Sequence, residues 1–312
     1  PNSNALPATN GTRPIIVSPT NGITLASGNT IRGVEVGYCP NGAKIFGNNF
    51  GTLTVGNTTT PDVALSGNRT TLDLTNGAFA ATSKFAFITS LDTSTLILNT
   101  VSGSLASGST TVNARDAAKA FDIQNSSAAL DFGSTIANHF NSGTVISITN
   151  SGTGSVTFSN LSIPTGGIGL LANAGGTINI GGTASTITAG TALDITNTSF
   201  GSGATFASIT SSSSSGKGVN LNTVSGPVTI NGGSITNSSS VAFDVQAGSS
   251  NIQYAGTISN AAPLAVEVTN RTGGTVTFSG NITNTGAGIN LASNTGGTIT
   301  FSGASQSLTT GT

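Results

Sequence analysis

Two apolar residues flanking one polar residue, followed by Asn, Ser or Gly, recur about every 24 residues along the chain. Copies read Val156-Thr157-Phe158, Ile178-Asn179-Ile180, Val228-Thr229-Ile230, Ile252-Gln253-Tyr254, Val276-Thr277-Phe278 and Ile299-Thr300-Phe301. In-out-in alternation is the period of a half-buried strand. A three-residue apolar pair is too short to pack by itself, so it must stack on its counterpart one repeat away. A chain with this constraint folds as a solenoid and works through its surface.

Laying the pairs in register gives three strand positions per repeat. The third is the most regular, with first apolar residues at Ala43, Leu72, Leu96, Phe121, Ile146, Ile168, Leu193, Val219, Phe243, Val266 and Ile289. The first position follows about ten residues later, as at Leu53, Leu130, Val156, Ile178, Val228, Ile252, Val276 and Ile299. A shorter second position carries one apolar residue, at Ile136, Ile187, Ile209, Ile235, Ile258 and Ile282. Gly, Asn and Ser fill the corners, as in Ser293-Asn294-Thr295-Gly296-Gly297, where positive φ and side-chain-to-backbone bonds are needed. No stretch carries a capped helical period. The expectation is all-β: one parallel β-solenoid of about twelve coils over residues 23–312, three strands per coil, behind an N-terminal segment 1–22.

Composition agrees with a thin core. Hydrophobic residues are 36% of the chain and charged residues only 6%, with a net charge of -1. So few charges exclude the electrostatic footprint of a nucleic-acid or anionic-membrane binder. No apolar run is long enough to span a bilayer. Near-neutral hydroxyl and amide surfaces associate readily, which points to self-assembly. Cys39 is the single cysteine and so forms no internal disulfide; its simplest role is a small buried apolar group. The absence of Met anywhere suggests a mature or excised piece of a longer chain.

The run Gly22-Ile23-Thr24-Leu25-Ala26-Ser27-Gly28-Asn29-Thr30-Ile31-Arg32-Gly33-Val34 resembles the opening coils of right-handed parallel β-helices of the pectin-lyase-like superfamily. Later coils are similar to the Gly/Thr/Asn-rich repeats of bacterial surface β-helices, such as autotransporter passengers and haemagglutinin-type adhesins. The resemblance implies a right-handed solenoid and an extracellular or cell-surface setting. Catalytic members of the group use clustered acids on adjacent coils beside an Arg or Lys.

Here the outward residues of the third position read Lys44, Asp73, Ile97, Asp122, Ser147, Gly169, Asp194, Asn220, Asp244, Glu267 and Asn290. Asp244 and Glu267 fall one coil apart, and Asp194 and Asp244 two coils apart, near the separations of retaining and inverting glycosidases. All three acids are expected to face solvent. No basic residue falls beside them by register, since Lys217 and Arg271 lie in corners, and corner lengths beyond residue 190 are nearly uniform, which argues against a substrate groove. Two tyrosines and no tryptophan leave little to hold a sugar ring.

The first position presents Thr24, Thr54, Thr157, Asn179, Thr205, Thr229, Gln253, Thr277 and Thr300 outward, with a second column at Ser155, Thr177, Thr275 and Thr298. Stacked hydroxyls suit an exposed strand. They also suit glycan contact, lateral packing of rods or an ice-facing surface, although Asn179, Pro227 and Gln253 interrupt them. His139 is the single histidine, and no phosphate loop, calcium repeat or EF-hand is present, so neither metal nor cofactor is expected. At the ends, the last coil stops after Ile299, Phe301 and Leu308, while Ile15, Ile16 and Val17 precede Ile23 where a third strand belongs. This arrangement suggests that Ile15–Val17 completes the last coil of a neighbouring copy, building a head-to-tail fibre. The reading is a non-enzymatic extracellular filament, stalk or adhesin segment. Its alternatives are a polysaccharide-binding or polysaccharide-degrading β-helix built on Asp194, Asp244 and Glu267, and an ice-binding face built on the threonines.

Overall fold

A computed structural model describes residues 13–56, 59–116, 119–261 and 263–309. These residues form a parallel β-solenoid of about twelve turns with no helix. Every strand pairing is parallel and joins one coil to the next. The second face is a separate sheet of thirteen strands, running from Ile15–Ile16 to Gln306–Leu308. The third and first faces are distinct in most coils, as in Thr191–Thr196 and Ser199–Phe206. In three early coils they merge into the long strands Ile45–Val55, Leu72–Phe85 and Leu96–Ser107.

Inward residues stack into columns of like on like. Leu193, Val219, Phe243 and Val266 follow one another on the third face, with Ile195, Leu221, Val245 and Val268 beside them, all buried. Each such side chain contributes about 1.5–3 kcal/mol by leaving water. Aromatic residues cluster within the core: Phe121, Phe132 and Phe158 form one group, and Phe243, Tyr254, Phe278 and Phe301 another, with neighbouring ring centroids 5.0–6.5 Å apart. Thin coils thus gain a core by stacking that no single coil contains.

The corner from third to first face has one recurring device. Asn49, Asn76, Thr100, Asn125, Asn150, Ala174, Asn197, Thr223, Ala247, Asn270 and Ser293 all have φ between 48° and 56° or at 57°. Each lies four residues after the first inward residue of its third-face strand. A single left-handed residue turns the chain there, and Asn tolerates that conformation best among residues bearing a Cβ. Asn76 Nδ2 also donates to Asn49 Oδ1 at 3.2 Å, and Asn125 Nδ2 to Asn99 Oδ1 at 3.1 Å.

Several register expectations need correction. Ile45, not Ala43, begins the third-face column, pairing with Ile23 before it and Leu72 after it. Lys44 therefore lies just ahead of the strand, not at an outward place within it, and is fully buried, its Nζ donating to the carbonyls of Asn68 (2.9 Å) and Arg69 (3.1 Å) and to Ser90 Oγ (3.2 Å). Phe46 takes the outward place, so Thr24, its partner, also lies on the third face and not the first. Leu170 replaces Ile168 in the column, which makes Leu171 the outward residue in place of Gly169. Ile136 is 43% exposed, because Thr135 and Ala137 occupy the inward places of its strand.

Candidate functional site

The acids of the third face fall in the predicted order. Asp194 is aligned with Asn220, Asn220 with Asp244, Asp244 with Glu267, and Glu267 with Asn290. Their side chains bond along the stack. Asn220 Nδ2 donates to Asp194 Oδ1 at 2.7 Å, and Asn290 Nδ2 donates to Glu267 Oε1 at 2.7 Å. Acid and carboxamide therefore pair across coils, as neighbouring groups 4.7–4.9 Å apart can do.

Asp244 departs from the expectation of a solvent-facing acid. It keeps its outward place between Phe243 and Val245, yet it is fully buried. Lys217 reaches it from the preceding corner, with Nζ donating to Asp244 Oδ2 and to Asn220 Oδ1 (3.2 Å). Gln246 Nε2 donates to the same Oδ2 at 3.1 Å. These side chains roof the carboxyl, and its Oδ1 is left buried without a hydrogen-bond partner. Burial raises the Asp244 pKa above the usual aspartate value; the Lys217 ammonium opposes that shift, and the Glu267 charge adds to it.

A basic residue thus does stand beside the acids, although register alone places it in a corner. The signal was present in the sequence: a Lys stands two residues before the first inward residue of the strand. Lys119 before Phe121 repeats it, donating to Asp122 Oδ1 at 3.0 Å and to Ser147 Oγ at 3.2 Å. Arg271, by contrast, turns into the stack, and its guanidinium donates to the carbonyls of Ala247, Ser250 (2.6 Å) and Gly273 (3.2 Å).

The corners are also less uniform than the spacing suggested. Six residues, 213–218, join the second face to the third ahead of Val219, against one, Gly190, a coil earlier. The overhang leaves an open groove of about 600 Å³, lined by Ser142–Thr144, Gly167, Ile168, Thr191, Asp194, Ser215–Lys217 and Asn220. Behind it, His139 is buried; its Nδ1 accepts the Gly143 N–H at 2.9 Å, while its Nε2 has no partner. Among the described residues no cluster of three His, Cys, Asp or Glu is arranged to hold a metal ion.

The threonine columns are real but broken. Asn179 aligns with Thr157 and donates to its Oγ1 at 3.3 Å. Between Ile178/Phe200 and Ile180/Ala204 the strand Ser199–Phe206 bulges by two residues, so Thr205 is not the partner of Asn179. Thr205, Thr229, Gln253, Thr277 and Thr300 then continue in register. Pro227 and Gln253 border a shallow dent with Thr275 and Thr277, which keeps the face from being flat.

At the N-terminus, Ile15–Ile16 pairs with Glu35–Val36 of the same chain, in the second-face sheet. Ile23–Thr24 is the third strand of that coil and Asn29–Ile31 its first, so Ile15–Val17 does not stand in a third position. The end coils are matched instead of complementary: each has one strand of every face. Ile299 and Phe301 are half-buried against the core, while Ile15, Val17, Leu291 and Leu308 are exposed.

No protein-family model, curated protein or solved structure matches this chain. The fold rests on its internal repeat alone.

Proposed function

We propose that this chain is a non-enzymatic structural or adhesive β-solenoid, a segment of an extracellular or cell-surface rod. The observation that carries the reading is the way its acids are used. Asp194, Asp244 and Glu267 are each tied to an amide or ammonium from an adjacent coil or strand neighbour. Among the described residues Lys217 is the one cation beside them, and it is itself engaged by Asp244 and Asn220. A lyase or hydrolase needs a base and an acid poised toward substrate, and groups consumed in holding the coils together are not so poised.

Low charge, a hydroxyl and carboxamide surface and the repeat style support the extracellular setting. Self-association fits the near-neutral surface, which carries few charges to hold copies apart. Glycans or other surface proteins are the natural partners of the first face.

The groove beside Asp194 and Lys217 favours a second reading, a polysaccharide-active β-helix. The two are separated by incubating the protein with acidic and neutral polysaccharides and following unsaturated products and reducing ends. The structural reading expects no product. Cleavage that disappears in Asp194→Asn would overturn it.

A further inference from the structure

Among the described residues four ion pairs form, and one differs from the rest in kind. Arg32–Asp62, Arg115–Asp92 and Lys119–Asp122 all keep their carboxylates partly in water, with 21–46% of the acid side chain exposed. In Lys217–Asp244 the acid is fully covered while the lysine lies at the wall of the groove. It is the one pair that joins a primary amine to a carboxyl out of contact with solvent.

We propose that Lys217 and Asp244 condense into an amide, a covalent cross-link between one coil and the next. The pair holds all the atoms the step needs. Proton transfer from the ammonium to the carboxylate gives a neutral amine and a carboxylic acid. In water this exchange is uphill, but removing the acid from water weakens the preference for separated charges. The Nζ lone pair then attacks Cγ of Asp244 and forms the N–C bond. One Cγ–O bond breaks, and its oxygen departs as water with one further proton from nitrogen. Ammonium and carboxylate become amide and water, with no oxidant, cofactor or net proton required.

Three features of the site favour this outcome over a standing ion pair. Gln246 Nε2 holds one oxygen of the carboxyl at 3.1 Å and fixes the orientation of Cγ under the amine. The other oxygen, Oδ1, is buried with no partner, and condensation removes one oxygen while leaving a single carbonyl for Gln246 to satisfy. Glu267 on the next coil brings a second negative charge that disfavours the carboxylate form. The amide N–H keeps a partner in Asn220 Oδ1, now 3.2 Å from Nζ, and Lys217 itself lies at the wall of the groove. The product staples the long 213–218 corner to the strand Val241–Gln246 and links residues 27 apart in sequence. It stands whether the solenoid is a rod or an enzyme.

The test is mass spectrometry of the purified full chain. Intact mass is expected one water, about 18 Da, below the sequence mass. A denatured tryptic digest is expected to lack cleavage after Lys217 and so to give one continuous peptide, residues 120–271, one water below its sequence mass; a further cut with chymotrypsin after Leu221 or Phe243 is expected to leave the segments carrying Lys217 and Asp244 covalently joined. Lys217→Arg preserves the charge and removes the primary amine, so it is expected at its full sequence mass and to unfold at a lower temperature. Full sequence mass in the native protein, with trypsin cutting after Lys217 and that lysine open to amine labelling, overturns the proposal. The digest of the native protein decides the matter even where a variant fails to fold.

Discussion

The corner from third to first face allows a quantitative test of how this fold is held. Eleven coils place one residue there in the left-handed region; six use Asn, while Ala174 (φ 49°) and Ala247 (φ 53°) fill the same place with no polar side chain. Left-handed backbone costs an L-residue with a Cβ roughly 1–2 kcal/mol, and Asn recovers part of it through local hydrogen bonding. Ala174→Asn and Ala247→Asn are each expected to stabilise the protein by about 0.5–1 kcal/mol. The converse change, Asn197→Ala, is expected to cost a similar amount. Both alanines are only partly buried, so the larger side chain has room. They lie three coils apart with no shared partner, so their effects are expected to add in the double variant. At about 2.1 cal/mol/K of unfolding entropy per residue, each substitution moves the melting temperature by roughly 1–2 °C, and urea midpoints report the same change. Unchanged or lowered midpoints for both asparagine variants, with Asn197→Ala neutral, would refute the argument that these corners store conformational cost.

Other substitutions separate the roles of the buried and exposed charges. Glu267→Gln is expected to leave stability within about 0.5 kcal/mol in a denaturant titration, because the amide still accepts from Asn290 at a partly exposed site. Asp244→Ala removes the bond to Lys217 and opens a void under its roof; a loss of about 1–3 kcal/mol is expected from the partly exposed ion pair alone, and a larger one where the cross-link is lost with it. Lys44 is desolvated and its pKa falls from 10.5 to about 8. Between pH 8 and 10.5 the unfolded chain therefore binds more protons at this site, so the contribution of Lys44 to unfolding free energy rises with pH across that window. Urea midpoints of wild type are expected to gain on those of Lys44→Met from pH 8 to 10.5; a constant difference would show that Lys44 does not titrate there.

Strand stacking was legible in the sequence because apolar pairs such as Val228/Ile230 and Ile252/Tyr254 recur at a nearly fixed period, and a pair displaced by one residue would face water. Register failed where that signal was ambiguous. Ala43-Lys44-Ile45 reads as one in-out-in pair, yet the column starts only at Ile45, and the Lys before it is buried with its Nζ on backbone carbonyls. Ile168-Gly169-Leu170 is the same ambiguity: Leu170 and Ala172 take the inward places, while Ile168 aligns with Thr191 ahead of the column. The bulge in Ser199–Phe206 adds two residues that leave composition unchanged, so it moved Thr205 without notice. The burial of Asp244 was hidden for a different reason: strand period fixes the direction of a side chain and says nothing of what a neighbouring corner lays over it. Lys217 was visible as a residue, and only its reach depended on the third dimension.

The most direct test of the central claim, a solenoid that serves as a rod, is electron cryomicroscopy of the native assembly. The account predicts rods in which each copy of this segment contributes about twelve coils at about 4.8 Å rise, roughly 55–60 Å along the axis, with neighbouring coils continuing in register at both ends. A dispersed particle whose end coils are closed off, with polysaccharide density seated in the groove at Asp194 and Lys217, would contradict it.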